Sequence, residues 1–170
     1  MTGQWLSDDE QRVWRSYLRA HVLLGARLSR QLQRDTDLSE ADYAVLVNMS
    51  EAPDGRLRGF ALAGALQWEK SRLSHQLTRM ERRGLVRREE CPTDGRGAFV
   101  VLTDEGRARI VAAAPLHAAE VRRWFVDALT AEQLAALGDI TSALVARLEG
   151  GGAGCPSAGE GAVAPRPDAA

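Results

Sequence analysis

Cysteine is nearly absent. The 170-residue chain has two, Cys91 and Cys155, too far apart to suggest a metal knuckle or a disulfide framework. An excess of one charge is also missing: 22 basic residues meet 23 acidic ones, for a formal net charge of −1. No apolar run approaches the length that crosses a bilayer, and the opening MTGQWLSDDEQRVW carries no charged-then-apolar signal. The expectation is a cytoplasmic protein without a membrane partner. Catalytic motifs are missing too, since no HExxH, GxSxG, Walker loop or CxxC occurs. His21, His75 and His117 are expected on three different helices, which gives no metal site. Asp8-Asp9 and Glu89-Glu90 read as solvated charge runs rather than acid/base pairs. Together these absences predict a protein that is not an enzyme and holds no metal or other cofactor.

What is present is a packed, mostly helical body with a tail. The apolar fraction of 45% is ordinary for a globular domain. Residues 150–170 contain six Gly, six Ala and three Pro and have almost nothing to bury, so a disordered tail is expected there and a single domain over 1–149. Helix starts punctuate the body. Ser7 with Glu10, Ser39 with Asp42 and Thr130 with Gln133 have capping-box spacing, and Thr103 precedes an acidic first turn. The periodicity predicts helices over about Asp8–Gln33, Glu40–Ser50, Gly59–Leu66, Glu69 to a stop at Gly84, Asp104–Leu129 with a kink at Pro115, and Ala131–Leu148. Two strands, Leu85–Glu90 and Ala98–Leu102, flank a turn-rich connection.

The charge is unevenly placed. Ser71 to Gly97 holds seven arginines, and Trp68 to Gly97 has a net charge of +3 within a neutral body. Turned at about 100° per residue, the fourth helix puts Leu73, Leu77 and Met80 on one stripe. Ser71, His75, Arg79 and Arg82 lie opposite, flanked by Arg72 and Thr78. A generic solvated helix mixes signs for i,i+4 pairing; this face has donors and no carboxylate near its centre. A short helix, a tight turn, such a helix and then a hairpin is the order of a winged helix-turn-helix. There the second helix enters the major groove and the hairpin forms the wing. Arg96, between two glycines at the hairpin tip, suits a narrow minor groove.

Residues 66–106 resemble the DNA-binding lobe of the MarR family of bacterial transcription regulators. The resemblance rests on Arg83-Gly84-Leu85-Val86, the basic pair Arg87-Arg88, the wing element Asp94-Gly95-Arg96 and Leu102-Thr103 opening a long helix. With its flanks it covers about residues 5–148. It implies a mainly α fold with a small β-hairpin wing, a DNA-binding lobe over about 39–103, and dimerisation helices over about 5–33 and 104–148. The implied function is a homodimeric regulator, a repressor on a pseudo-palindromic double-stranded operator, modulated by a small molecule. Carried over from the family motif, Ser71, Arg72, His75 and Arg79 are the recognition-helix contacts and Arg96 the wing arginine. Asp94 orients the wing, Lys70, Arg87 and Arg88 meet phosphates, and Arg83 lies towards the core.

The resemblance also suggests an aromatic or phenolic effector. Trp14, Tyr17 and His21, which share a face of the first helix, and Tyr43 on the second are candidate ligand residues, with core or interface packing as the alternative. Cys91, at the start of the wing, reads as a small apolar strand-end residue. The rival function is a winged-helix protein-interaction module without DNA binding, for which apolar or mixed-sign residues would be expected on the fourth helix.

Overall fold

Helix capping organises the chain. In the computed structural model, which describes residues 5–90 and 98–150, α1 spans Asp8–Thr36 and α2 spans Glu40–Glu51. Both open on a complete capping box: Ser7 accepts from the Glu10 N–H while Glu10 takes the Ser7 N–H (2.7 Å), and Ser39 and Asp42 do the same. A 3-10 turn, Pro53–Gly55, leads into β1 (Arg56–Arg58) and then α3 (Gly59–Ala65). After a four-residue turn come α4 (Lys70–Arg82), β2 (Val86–Glu90) and β3 (Ala98–Leu102). Helix α5 runs Asp104–Val121 and passes into a π-helical turn at Arg122–Val126, and α6 spans Ala131–Gly150. Mainly α with a small wing is the observed fold.

The two expected strands are joined by a third. The sheet has order β1-β3-β2, antiparallel throughout, with Leu57 opposite Val100 and Arg88 opposite Val100 from the other side. Three residues of β1 are too few for alternation to register in sequence. They form a strand only because β3, over forty residues later, supplies the partner. Pro115 was expected to kink α5, yet α-helix continues through it to Val121, and the departure from α-geometry comes at residues 122–126. The carbonyl that loses its donor belongs to Val111, whose 67% exposed position lets water replace the missing bond.

Residues 1–128 and 129–170 form separate compact units. In the first, the core lies between α2, α3, α4, the start of α5 and the inner face of the sheet, with Leu46, Met49, Leu62 and Met80 fully buried. Fully burying side chains of this size contributes about 1.5–3 kcal/mol each. In contrast, only Gln31 and Leu32 are buried in α1, and no residue is buried in α6. Trp5, Val13, Trp14, Val22 and Leu23 stand exposed on the first unit, as do Ile140, Leu144, Val145 and Leu148 on α6. Asp94, Arg96 and Cys91 at the wing, and the tail after Gly150, lie outside the described residues.

Candidate nucleic-acid interface

Helix α4 is anchored by Leu73, Leu77 and Met80, as its stripe predicts. Its opposite face therefore points away from the core, and Ser71, Arg72, His75 and Arg79 are all exposed, with Lys70 beside them at the N-terminus. These five sequence-predicted residues share one surface. Thr78, at its edge, is half-buried and turns its hydroxyl back to the Ser74 carbonyl (3.0 Å).

Two arginines on this face are held from beneath. The Arg72 guanidinium lies 4.2 Å from the centre of the Trp68 ring, and Trp68 is itself packed against the core. Such a cation–π contact contributes about 0.5–1 kcal/mol at an exposed site and limits the rotamers of the arginine. Arg79 donates through Nη2 to the Gln76 carbonyl oxygen. Gln76, 2% exposed, donates its amide N–H to Asp42 Oδ1 at 2.7 Å. Asp42 Oδ2 accepts from the Ser39 N–H (3.0 Å), the Ser39 hydroxyl (2.8 Å) and Arg83 Nη1 (2.8 Å). Arg83 also donates to the Asp37 carbonyl at 2.6 Å. Its placement towards the core is thus explained: it ties α4 to the α1–α2 junction.

The wing arginines have their own partners. Arg88 donates to Glu81 Oε2 (2.7 Å) and to the Ser74 carbonyl (2.9 Å), stapling β2 onto α4. Arg87 pairs with Glu89 across the outer face of the sheet. On that face Arg56 and Arg58 sit 3.9 and 4.2 Å from the centre of the Phe99 ring.

The four candidate ligand residues occupy two places. Trp14, Tyr17 and His21 form a stacked ladder along the exposed side of α1, with centroids 5.7 and 6.3 Å apart. Tyr43 packs instead against His117 of α5, 4.5 Å between centroids. Burial pushes the Tyr43 phenol up and the His117 imidazole down, the latter against a smaller opposing effect of Glu40. His117 Nδ1 and the Gln31 carbonyl oxygen are buried without a hydrogen-bond partner. Sequence reasoning missed His117 as the partner of Tyr43, because nothing local relates residues on α2 and α5.

The depressed His117 pKa has a definite sign in stability. The unfolded chain takes up a proton near the ordinary value of 6.5 that the folded protein refuses, so stability falls as pH drops through that value. His117→Gln is expected to flatten the decline in Tm between about pH 7.5 and about pH 5. A thermal-melt series checks this, and an equally steep decline in the variant refutes it.

The comparisons with known proteins agree with this geometry. The family model for the MarR family matches residues 36–97. The transcriptional regulator HosA of Escherichia coli O111:H- is 42% identical over 80 residues, 47% of this chain and 58% of that relative, so the chain spans just over half its length. HosA of the O127:H6 strain is 39% identical over 97 residues, 57% of this chain and 70% of that protein. Two solved structures from Streptomyces coelicolor are each 44% identical. AbsC, a MarR family transcriptional regulator, superposes with a TM-score of 0.81 over 87% of this chain and 99% of that one. Sco3205, a MarR family regulator solved in complex with DNA, gives 0.84 over 91% and 97%. These relatives are transcriptional regulators rather than enzymes. With its winged helix-turn-helix lobe and an arginine-bearing helix standing clear of the core, the chain belongs to the MarR family of DNA-binding transcriptional regulators.

Proposed function

We propose that the protein is a homodimeric repressor that grips a pseudo-palindromic operator and releases it when a small aromatic effector binds. The observation that carries the DNA reading is the exposed face of α4: hydroxyl, imidazole and guanidinium groups, with Arg72 stacked on Trp68 and no carboxylate at the centre. Arg72 and Arg79 suit bidentate donation to guanine, and Ser71 and His75 suit base edges or phosphate oxygens. Lys70 and Arg87 meet the backbone, which fixes register without reading sequence. Arg88, already bound to Glu81 and the Ser74 carbonyl, presents the wing from which Arg96 reaches the minor groove, with Asp94 orienting it.

Dimerisation is supported by the bare apolar faces of α1 and α6. Trp14 at 51% and Leu148 at 76% exposure are costly to leave in water, and a second copy supplies cover of the same chemistry. Two-fold symmetry then sets the half-sites about 34–36 Å apart, one turn of the duplex. Effector binding is supported by the Tyr43–His117 pair with its unpartnered ring nitrogen and by the buried, unpartnered Gln31 oxygen, which offer polar anchors beside an aromatic surface. Trp14, Tyr17 and His21 on α1 are the second aromatic surface available to it.

A titration of the promoter fragment upstream of the protein's own gene tests this reading. Affinity is expected to fall about a thousandfold or more between about 50 and about 200 mM salt, with two chains bound per site. Salt-insensitive or absent binding would instead make the lobe a protein-interaction module. Adding aromatic acids to the preformed complex reads the effector directly.

A further inference from the structure

Gln76 is a polar residue on the apolar side of the reading helix, between Leu73 and Met80, and it is 2% exposed. A buried amide is tolerated when both of its ends are paired. The Asp42 carboxylate only accepts hydrogen bonds, so the Gln76 amide must turn its NH2 towards Asp42 Oδ1, where the distance is 2.7 Å. Its carbonyl oxygen is thereby forced to the other side, and there it accepts from Arg79 Nη2. The direction of the amide is dictated by the chemistry of Asp42, which is itself fixed by Ser39 and Arg83.

We infer that Gln76 is a positioning residue for Arg79, with its polarity set by Asp42, and that this buried pair aims the guanidinium at the DNA. The inference rests on the proposal that Arg79 faces DNA. An arginine held from beneath has less rotamer freedom to give up when it meets a base, and its planar fork arrives in one orientation. The buried pair therefore sets affinity and base preference without touching the duplex.

Reversing the polarity of the pair tests this. In Asp42→Asn, the new carbonyl keeps the bonds from Ser39 and Arg83, and the new NH2 faces Gln76. The Gln76 amide must then flip, which turns a donor towards the donors of Arg79. Adding Gln76→Glu restores an acceptor at both ends.

The readout is fluorescence anisotropy at one salt concentration, using the full chain and a duplex that the unaltered protein selects from a randomised library. Arg79→Ala is expected to bind about tenfold more weakly and Asp42→Asn about five- to tenfold. Asp42→Asn placed on top of Arg79→Ala is expected to add less than about twofold, because its target is gone. The Asp42→Asn/Gln76→Glu pair is expected to return to within about threefold of the unaltered protein. Losses that simply multiply, or failure of Gln76→Glu to recover binding, would overturn the inference. Unchanged binding by Arg79→Ala would instead remove the proposal beneath it. Should Asp42→Asn not fold, Gln76→Met removes the acceptor while keeping Asp42, and the same coupling to Arg79 is required of it.

Discussion

Gly106→Ala is expected to lower stability by about 3–5 kcal/mol, against the usual 1–3 kcal/mol for overpacking. A Cβ at this position would sit 2.0 Å from the Leu85 carbonyl oxygen and 2.8 Å from a Leu102 methyl. The first of these is backbone and cannot swing aside as a side-chain end would. Its surroundings are tied as well. Thr103 caps α5 by accepting from the Gly106 N–H (3.0 Å), and its hydroxyl donates back to the Gly84 carbonyl (2.6 Å). The Thr103 N–H reaches the same Leu85 oxygen at 3.3 Å. Moving Leu85 to admit a methyl would pull α5 off the end of α4, where Gly84 turns the chain at a φ of +71°. In a thermal melt the loss corresponds to a fall in Tm of roughly 10 °C. Gly64→Ala is the control: its Cβ would meet nothing within 4 Å, and the substitution is expected to be neutral or stabilising by about 0.5–1 kcal/mol. Equal melts for the two variants would contradict the packing described here.

The same contact explains how much of the lobe was legible in sequence. Arg83-Gly84-Leu85 and Leu102-Thr103 are separate words in the chain, but in the fold they touch through the Thr103 hydroxyl. Each is a local signal, a helix stop and a helix start, so both elements could be placed from sequence. The capping boxes at Ser7, Ser39 and Thr130 were legible for the same reason, since each closes within three residues. Partners that meet across long stretches left no such mark. Strand β1 exists through β3, Tyr43 through His117, and Asp42 through Gln76, 34 residues on. For Gln76 one signal was available: an amide sits where the periodicity of α4 calls for an apolar side chain, and an amide in that position needs a buried partner. The π-helical turn after Val121 had no counterpart in the pattern, because the apolar spacing of α5 continues through it.

Arg72→Ala is expected to weaken operator binding most among the single substitutions of the reading face. A lost bidentate base contact costs about 1–3 kcal/mol per lobe. In the proposed dimer every substitution occurs in both lobes, so the total is about 2–6 kcal/mol, or about thirtyfold to more than ten-thousandfold in Kd. The stack on Trp68 makes this arginine the better candidate for the full effect, since its guanidinium is already placed 4.2 Å over the ring before DNA arrives. Stability is expected to change by no more than about 1 kcal/mol, because what is lost in the free protein is one exposed cation–π contact. The salt dependence separates base reading from backbone contact. A base contact leaves the slope of affinity against salt nearly unchanged while discrimination between the selected duplex and a scrambled one collapses; a phosphate contact lowers the slope by about one per lobe and spares discrimination. Arg72→Lys sharpens the test, as it keeps the charge and loses the planar fork. If discrimination survives Arg72→Lys and only the slope responds to Arg72→Ala, Arg72 grips the backbone, and sequence reading passes to Ser71, His75 and Arg79.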